Sequence, residues 1–234
     1  MSDKLADFSF LKGIKVLDLT QFEAGPSCTE TLAWLGADVV KIENPKMGDP
    51  GRRLRPNKPD DDPYYFHMFN ANKKSVTINL KSVEGLNLVK SMIKEADVMM
   101  ENFAPGAIER LGLGYETVKK INPGIIYAQV KGFGIGSPHE KNLAFDMIAQ
   151  ACGGTFSVTG ESDGPPTRPG ITIGDTGTGM LMAITILGAL FKRRETGEGH
   201  CLQVAMQDAM LHYMRVNFAT HGRTKKPAQR GGSK

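Results

Sequence analysis

The chain has 234 residues and a formal net charge of +4, with 40% hydrophobic and 23% charged residues. That length supports one α/β domain with a sizeable core, or one domain and part of a second, and the composition excludes a disordered or fibrous chain. The mild positive excess is not gathered into a long basic run interleaved with aromatics, so it points to an anionic small ligand and away from nucleic acid.

Residues 14–20 read as a buried strand, and the stretch from Glu23 to Cys28 as a turn. Leu32 and Leu35 then recur at helical spacing, with Gly36 as a stop. Residues 37–43 form a second strand, which closes a βαβ unit and implies a parallel sheet with a right-handed crossover. The rhythm repeats with a strand over 74–80. A helix capped by Ser82 follows, with Leu86, Val89 and Ile93 on one face. After it come a strand over 97–101, short helices at 107–111 and 115–121, and a strand over 125–131. Alternation of this kind predicts a doubly wound, mostly parallel α/β sheet built of Rossmann-like units.

Beyond Asn142 the pattern predicts a helix over 145–153 and a loop at 161–167. A helix over 180–194, apolar nearly all round, is expected to be buried. A strand over 200–206 and a closing helix over 207–220 complete the set. Residues 1–221 are read as one large domain, and 222–234 as a basic, glycine-rich tail without a core of its own.

Cys28, Cys152 and Cys201 are far apart and show no CxxC spacing, so neither a zinc site nor a disulfide framework is indicated. The N-terminus carries no apolar signal stretch, and the longest apolar run, 180–191, is short for a membrane span. A soluble protein of a reducing, cytoplasmic compartment is expected, with no metal and no membrane.

Several residues carry chemistry under one of two interpretations. The first βα turn, with Glu43 ending the second strand about twenty residues on, has the outline of a dinucleotide site, but only Gly25 stands where a G-x-G-x-x-G motif is needed. Cys28 is either a thiolate near a helix start or a small buried residue. Asp175, flanked by Gly174, Gly177 and Gly179, is either a helix cap or a nucleophile kept ionised by a helix N-terminus, with glycines that let a substrate approach. Asp146 is either a helix-start acid or a substrate-orienting one. Arg110 and Lys131 are either solvated or bound to phosphates.

Read in order, these segments resemble the family III CoA-transferases, the formyl-CoA transferase and L-carnitine CoA-transferase family. The resemblance runs from Leu11 to about Thr220. Gly13 to Thr20, Ala24 to Pro26, Leu35 to Glu43, Asn70 to Ser75, Ala96 to Phe103, Gly164 to Pro166, Gly174-Asp175 and Met206 to Ala209 carry it. It implies an enzyme that moves coenzyme A between an acyl-CoA and a free carboxylic acid. Asp175 takes the acyl group as a mixed anhydride and then holds CoA as a thioester. By position, Asn102, Phe103, Arg110, Lys131 and Phe145 match the CoA site, and Ile78 and Leu80 supply apolar walls. Glu23 and Asp146 match substrate-side positions.

Glu23 stands where formyl-CoA transferase has a glutamine, Phe145-Asp146 replaces a Tyr-Glu pair, and Asn44 replaces an arginine. The stretch from Asn142 to Asp146 lacks the histidine of the related racemases. The resemblance also implies a homodimer of interlocked chains and a smaller second domain that lies beyond these 234 residues.

Overall fold

The computed structural model describes residues 9–54 and 61–232. Arg55, the last member of the basic cluster begun by Arg52 and Arg53, lies outside the described residues.

Among the described residues six strands form one all-parallel sheet in the order β3-β2-β1-β4-β5-β6. They are β1 (Lys15–Asp18), β2 (Asp38–Glu43), β3 (Lys74–Thr77), β4 (Val98–Glu101), β5 (Ile126–Lys131) and β6 (His200–Ala205). Side chains alternate between two cores, as a period of two requires. Val16, Val98, Met100, Ile126 and Ala128 face one core. Leu17, Met99 and Tyr127 face the other. Helices cover both faces, which is why the central strands read as continuous apolar runs. The first core takes α1 (Ala24–Trp34) and α8 (Thr178–Thr196), and the second takes α3 (Val83–Glu95) and α5 (Tyr115–Ile121). Ser82 caps α3 by accepting from Gly85 N, as its place in the sequence predicts. Strand order reverses between β1 and β4, so the loops leaving their C-terminal ends diverge and open a crevice.

Four expectations need correction. The predicted turn from Glu23 to Cys28 is helical from Ala24 onward. Pro26 is tolerated there because N–H groups in a first turn have no helical acceptor. The long apolar helix is not buried all round: Met180, Ile184 and Phe191 are exposed, while Met182, Ala183 and Ile186 pack in the core. It is also preceded by a π-helical turn, Ile173–Gly177. The closing helix is broken at Met214 into α9 (Met206–Tyr213) and α10 (Arg215–Thr224). Three pieces had no sequence signal strong enough to place them: a 3₁₀ turn at Pro50–Arg53, α2 (Tyr64–Asn70) and α7 (Thr155–Val158). Each is seven residues or shorter, too brief to show a helical period. The remaining helices are α4 (Ala107–Arg110) and α6 (Asp146–Cys152).

Candidate active site

At the switch point the loops after β1, β4 and β5 enclose a cavity of about 260 Å³. Its walls include Glu23, Asn102, Phe103, Lys131, Phe145 and Asp175, six residues from five separated stretches of the sequence. The loop after β1 is held rigidly. Gln21 N donates to Asn102 Oδ1 at 2.7 Å, and Asn102 Nδ2 donates to Gln21 O at 2.8 Å. Asn102 therefore spends its amide on a backbone clamp. The next residue, Phe22, has φ of 64°, a strained conformation for a bulky side chain. Its N–H donates to Asp49 Oδ1 at 3.2 Å, and its ring meets Phe145 edge-on at 5.3 Å. Asp49 is itself paired with Lys41 at 2.7 Å, both side chains 1% exposed. The strain thus rests on a buried ion pair, and it presents Glu23 at the start of α1.

Asp175 sits within the π-helical turn, 9% exposed, and its carboxylate has no hydrogen-bond partner among the described residues. Burial, with Glu23 and Asp146 nearby, pushes its pKa up to about 8, against a weaker pull from Arg168. The turn buries the carboxyl among other acids, so its environment disfavours the ionised form that the helix-start position alone suggested. Asp146 organises that turn. Its Oδ1 accepts from Gly174 N at 2.9 Å and Asp175 N at 3.3 Å. Gln150 Nε2 donates to both oxygens, and Arg168 Nη2 reaches Oδ2 at 3.1 Å. The Asp146 carboxylate is occupied by protein, so it positions Asp175 and has no room to orient a substrate.

The glycines around Asp175 likewise serve the protein. A Cβ on Gly174 would lie 2.7 Å from Asp146 O. On Gly177 it would meet the Tyr213 ring at 2.8 Å, and on Gly179 it would meet Ala24 O at 2.6 Å. They permit close packing, where the sequence suggested room for a substrate.

Glu23 is 4% exposed, and its Oε1 finds no hydrogen-bond partner among the described residues. Tyr65 donates to Oε2 at a long 3.4 Å. Burial raises the Glu23 pKa, Thr172 and Tyr65 oppose that, and Asp146 adds to it. Two neighbouring carboxyl groups therefore both have raised pKa values, an arrangement that clusters at functional sites.

Lys131 ends β5 and is nearly buried. Its ammonium pairs with Glu101 at 2.7 Å and donates to Phe103 O at 2.8 Å. Arg110 is exposed and forms no ion pair among the described residues. It lines a second depression of about 440 Å³ together with Lys141. The two cavities share Pro105 and Lys131 in their walls and so adjoin, with Glu23 and Asp175 lining the first and Arg110 and Lys141, beside Glu109 and Glu140, lining the second. Ile78 is 4% exposed within the second core, with Leu80 packed against that core, and neither lines these cavities. Cys28 is fully buried, and burial pushes its thiol up, so it is a core residue. Glu43 is held well below the usual carboxylate range: burial would raise it, but hydrogen bonds from Arg52 and Ser75 outweigh that. It is spent on this pair and leaves no free acid for a ribose.

Phe22, Tyr65, Thr172 and Arg168 escaped the sequence reading. Each lies in a stretch read as a loop or not assigned, and nothing local marks it.

A family model described as CoA-transferase family III matches residues 11–234. The chain belongs to CoA-transferase family III. It is 50% identical over 208 residues to a formyl-CoA:oxalate CoA-transferase of Streptomyces coelicolor, covering 89% of this chain and 50% of that protein. It is 45% identical over 216 residues to one of Escherichia coli O6:H1, covering 92% and 52%. A CAIB/BAIF family protein from Brucella suis superposes with a TM-score of 0.90 at 36% identity, covering 95% of this chain and 60% of that one. Rv3272 from Mycobacterium tuberculosis follows with a TM-score of 0.81 at 32% identity, covering 92% and 58%. The chain thus spans about half the length of the curated relatives it matches. The doubly wound parallel fold is that of a family III member over the shared part.

Proposed function

We propose that this chain carries the acyl-accepting site of a CoA-transferase and that Asp175 is its nucleophile. The observation that carries this reading is the pair of adjoining cavities: the buried Asp175 carboxyl, without a hydrogen-bond partner among the described residues, lines one, and the exposed Arg110 and Lys141 line the other. An acyl-CoA lying along them would set its thioester beside Asp175 and its phosphates beside Arg110, with the exposed Phe145 ring as an apolar wall. Asn102, Phe103 and Lys131 shape the passage between. Because Lys131 is already bound to Glu101, its part is chiefly to hold the loop after β4, with Arg110 taking the phosphate charge.

In this reading the ionised Asp175 attacks the thioester carbon, the C–S bond breaks, and CoA leaves as the thiolate. The thiolate attacks the aspartyl carbonyl of the anhydride, freeing the donor acid as a carboxylate and leaving an aspartyl-CoA thioester. The acceptor carboxylate then attacks that thioester and expels the thiolate. The thiolate finally takes the new acyl group and returns Asp175 to a carboxylate. The anhydride conserves the thioester's activation, so one hard exchange becomes several easier ones.

Formyl-CoA and oxalate are the first pair to test, given the names of the relatives. Glu23 adds a carboxyl beside Asp175, which favours a singly charged acceptor over a dianion. A cytoplasmic homodimer completes the proposal, supported by the apolar Ile184 and Phe191 that α8 leaves exposed.

The test is acyl exchange followed by chromatography of the CoA esters, beside calorimetric binding of free CoA. Asp175→Asn should lower transfer by at least ~10³-fold, as loss of a nucleophile does, with CoA affinity little changed. A variant that still transfers at near the normal rate would reject Asp175 as the nucleophile.

A further inference from the structure

The cavity beside Asp175 poses a problem for its second substrate. Glu23, Asp146 and Asp175 converge there, and a free carboxylate must approach them. Buried carboxyl groups offer an anionic acceptor no charge partner, and whichever of them ionises repels it, so the acceptor needs a cation in the same place. Lys131 is spent on Glu101 and Phe103 O, and Arg110 lies in the second depression. The cation beside the three acids is Arg168.

Arg168 is placed with care. It lies between Pro166 and Pro169, whose rings fix the backbone on either side. Thr167 N donates to Thr159 O at 3.1 Å, and the guanidinium of Arg230 ties the same loop down by donating to Gly164 O at 2.6 Å and Glu161 O at 3.2 Å. Among the described residues the Arg168 guanidinium makes one hydrogen bond, Nη2 to Asp146 Oδ2 at 3.1 Å, and its side chain is 45% exposed. An ion pair so open to solvent adds little stability. Of the five N–H donors of an arginine, four are left without an acceptor among the described residues. Glu23 Oε1, buried and without a hydrogen bond among the described residues, stands in the same cluster.

We propose that Arg168 is the specificity-determining residue that receives the carboxylate of the acceptor acid and holds it beside Asp175. A planar guanidinium meets a carboxylate through two parallel hydrogen bonds, which fixes orientation as well as charge. Arg168 does not line the cavity assigned to the acyl-CoA, so the acid would be recognised from a different side than the thioester. The inference rests on the reading of Asp175 as the group that carries the acyl and CoA moieties.

The experiment uses the full chain with Arg168→Gln and Arg168→Lys. Three quantities are read: steady-state KM for the acid, steady-state KM for the acyl-CoA, and hydroxylamine capture of the activated Asp175 carbonyl as a hydroxamate without any acceptor. Losing one charged hydrogen-bond partner should raise the acceptor KM by roughly 10- to 100-fold in Arg168→Gln, less in Arg168→Lys. The acyl-CoA KM and the capture on Asp175 should stay within about twofold. Capture and acyl-CoA KM that worsen by the same factor as the acceptor KM would make Arg168 a prop for Asp146 and overturn the proposal. So would an unchanged acceptor KM. A wild-type chain that transfers without labelling Asp175, while Arg168→Gln still raises the acceptor KM alone, would sink the Asp175 reading and leave Arg168 standing.

Discussion

Replacing Asp175 with asparagine should stabilise the protein above neutral pH and leave it little changed in acid. Burial beside Glu23 and Asp146 pushes the Asp175 pKa from 3.8 up to about 8. The folded protein therefore keeps a proton there that the unfolded chain gives up above pH ~4. Between those values the native state binds more protons than the unfolded one, so stability falls as pH rises and the full cost is present above about 8. At ~1.4 kcal/mol for each tenfold change, that displacement sets a ceiling of ~6 kcal/mol. Relaxation of the neighbouring acids reduces this, and ~2–4 kcal/mol is the expected gain for Asp175→Asn at pH 8.5. Asparagine keeps the shape, and no hydrogen bond to the Asp175 side chain is broken. Urea unfolding at pH 8.5 and pH 4.5 measures the difference, which should shrink below ~1 kcal/mol at the lower pH. An equal gain at both pH values, or a loss at pH 8.5, would refute the burial argument.

Acyl capture on Asp175, which needs the carboxylate, should rise with pH by about tenfold per unit and level off above about 8; a flat profile between pH 6 and 8 in single-turnover measurements would contradict it. Gly174→Ala would drive a methyl group to 2.7 Å from Asp146 O and 2.9 Å from its Oδ1. It should lower stability by ~1–3 kcal/mol in denaturant titration and impair transfer by moving Asp175. Asp49→Ala strands the buried Lys41 ammonium and frees Phe22 N, for a loss of ~3–5 kcal/mol in the same assay. The paired replacement Lys41→Met with Asp49→Leu should recover part of that stability.

Much of the fold was legible because it is written in short periods. Val16 and Leu17 alternate between two cores, and Val89 and Ile93 repeat at a helical step, so β1 and α3 could be read locally. Element ends failed where a local cue and the tertiary structure disagreed. Gly25-Pro26 looks like a turn, yet it opens α1 because a first turn needs no N–H partners. The apolar run from 180 could not show that one face of α8 stays exposed, since hydrophobicity alone does not say which side is covered. For the site, Glu23, Asn102, Phe103, Lys131, Phe145 and Asp175 were all named from sequence and do share one cavity. Their duties were less readable. Asp146 was expected to meet substrate and instead holds two backbone N–H groups of the Asp175 turn. Arg168 and Phe22 had no local pattern at all, because their roles come from contacts across 22 and 27 residues of chain.

The most direct measurement of the central claim is intact-mass and peptide-mass analysis after incubation with an acyl-CoA and hydroxylamine. The account predicts a hydroxamate on Asp175, absent in Asp175→Asn. A chain that transfers acyl groups while the peptide containing Asp175 stays unmodified would contradict it.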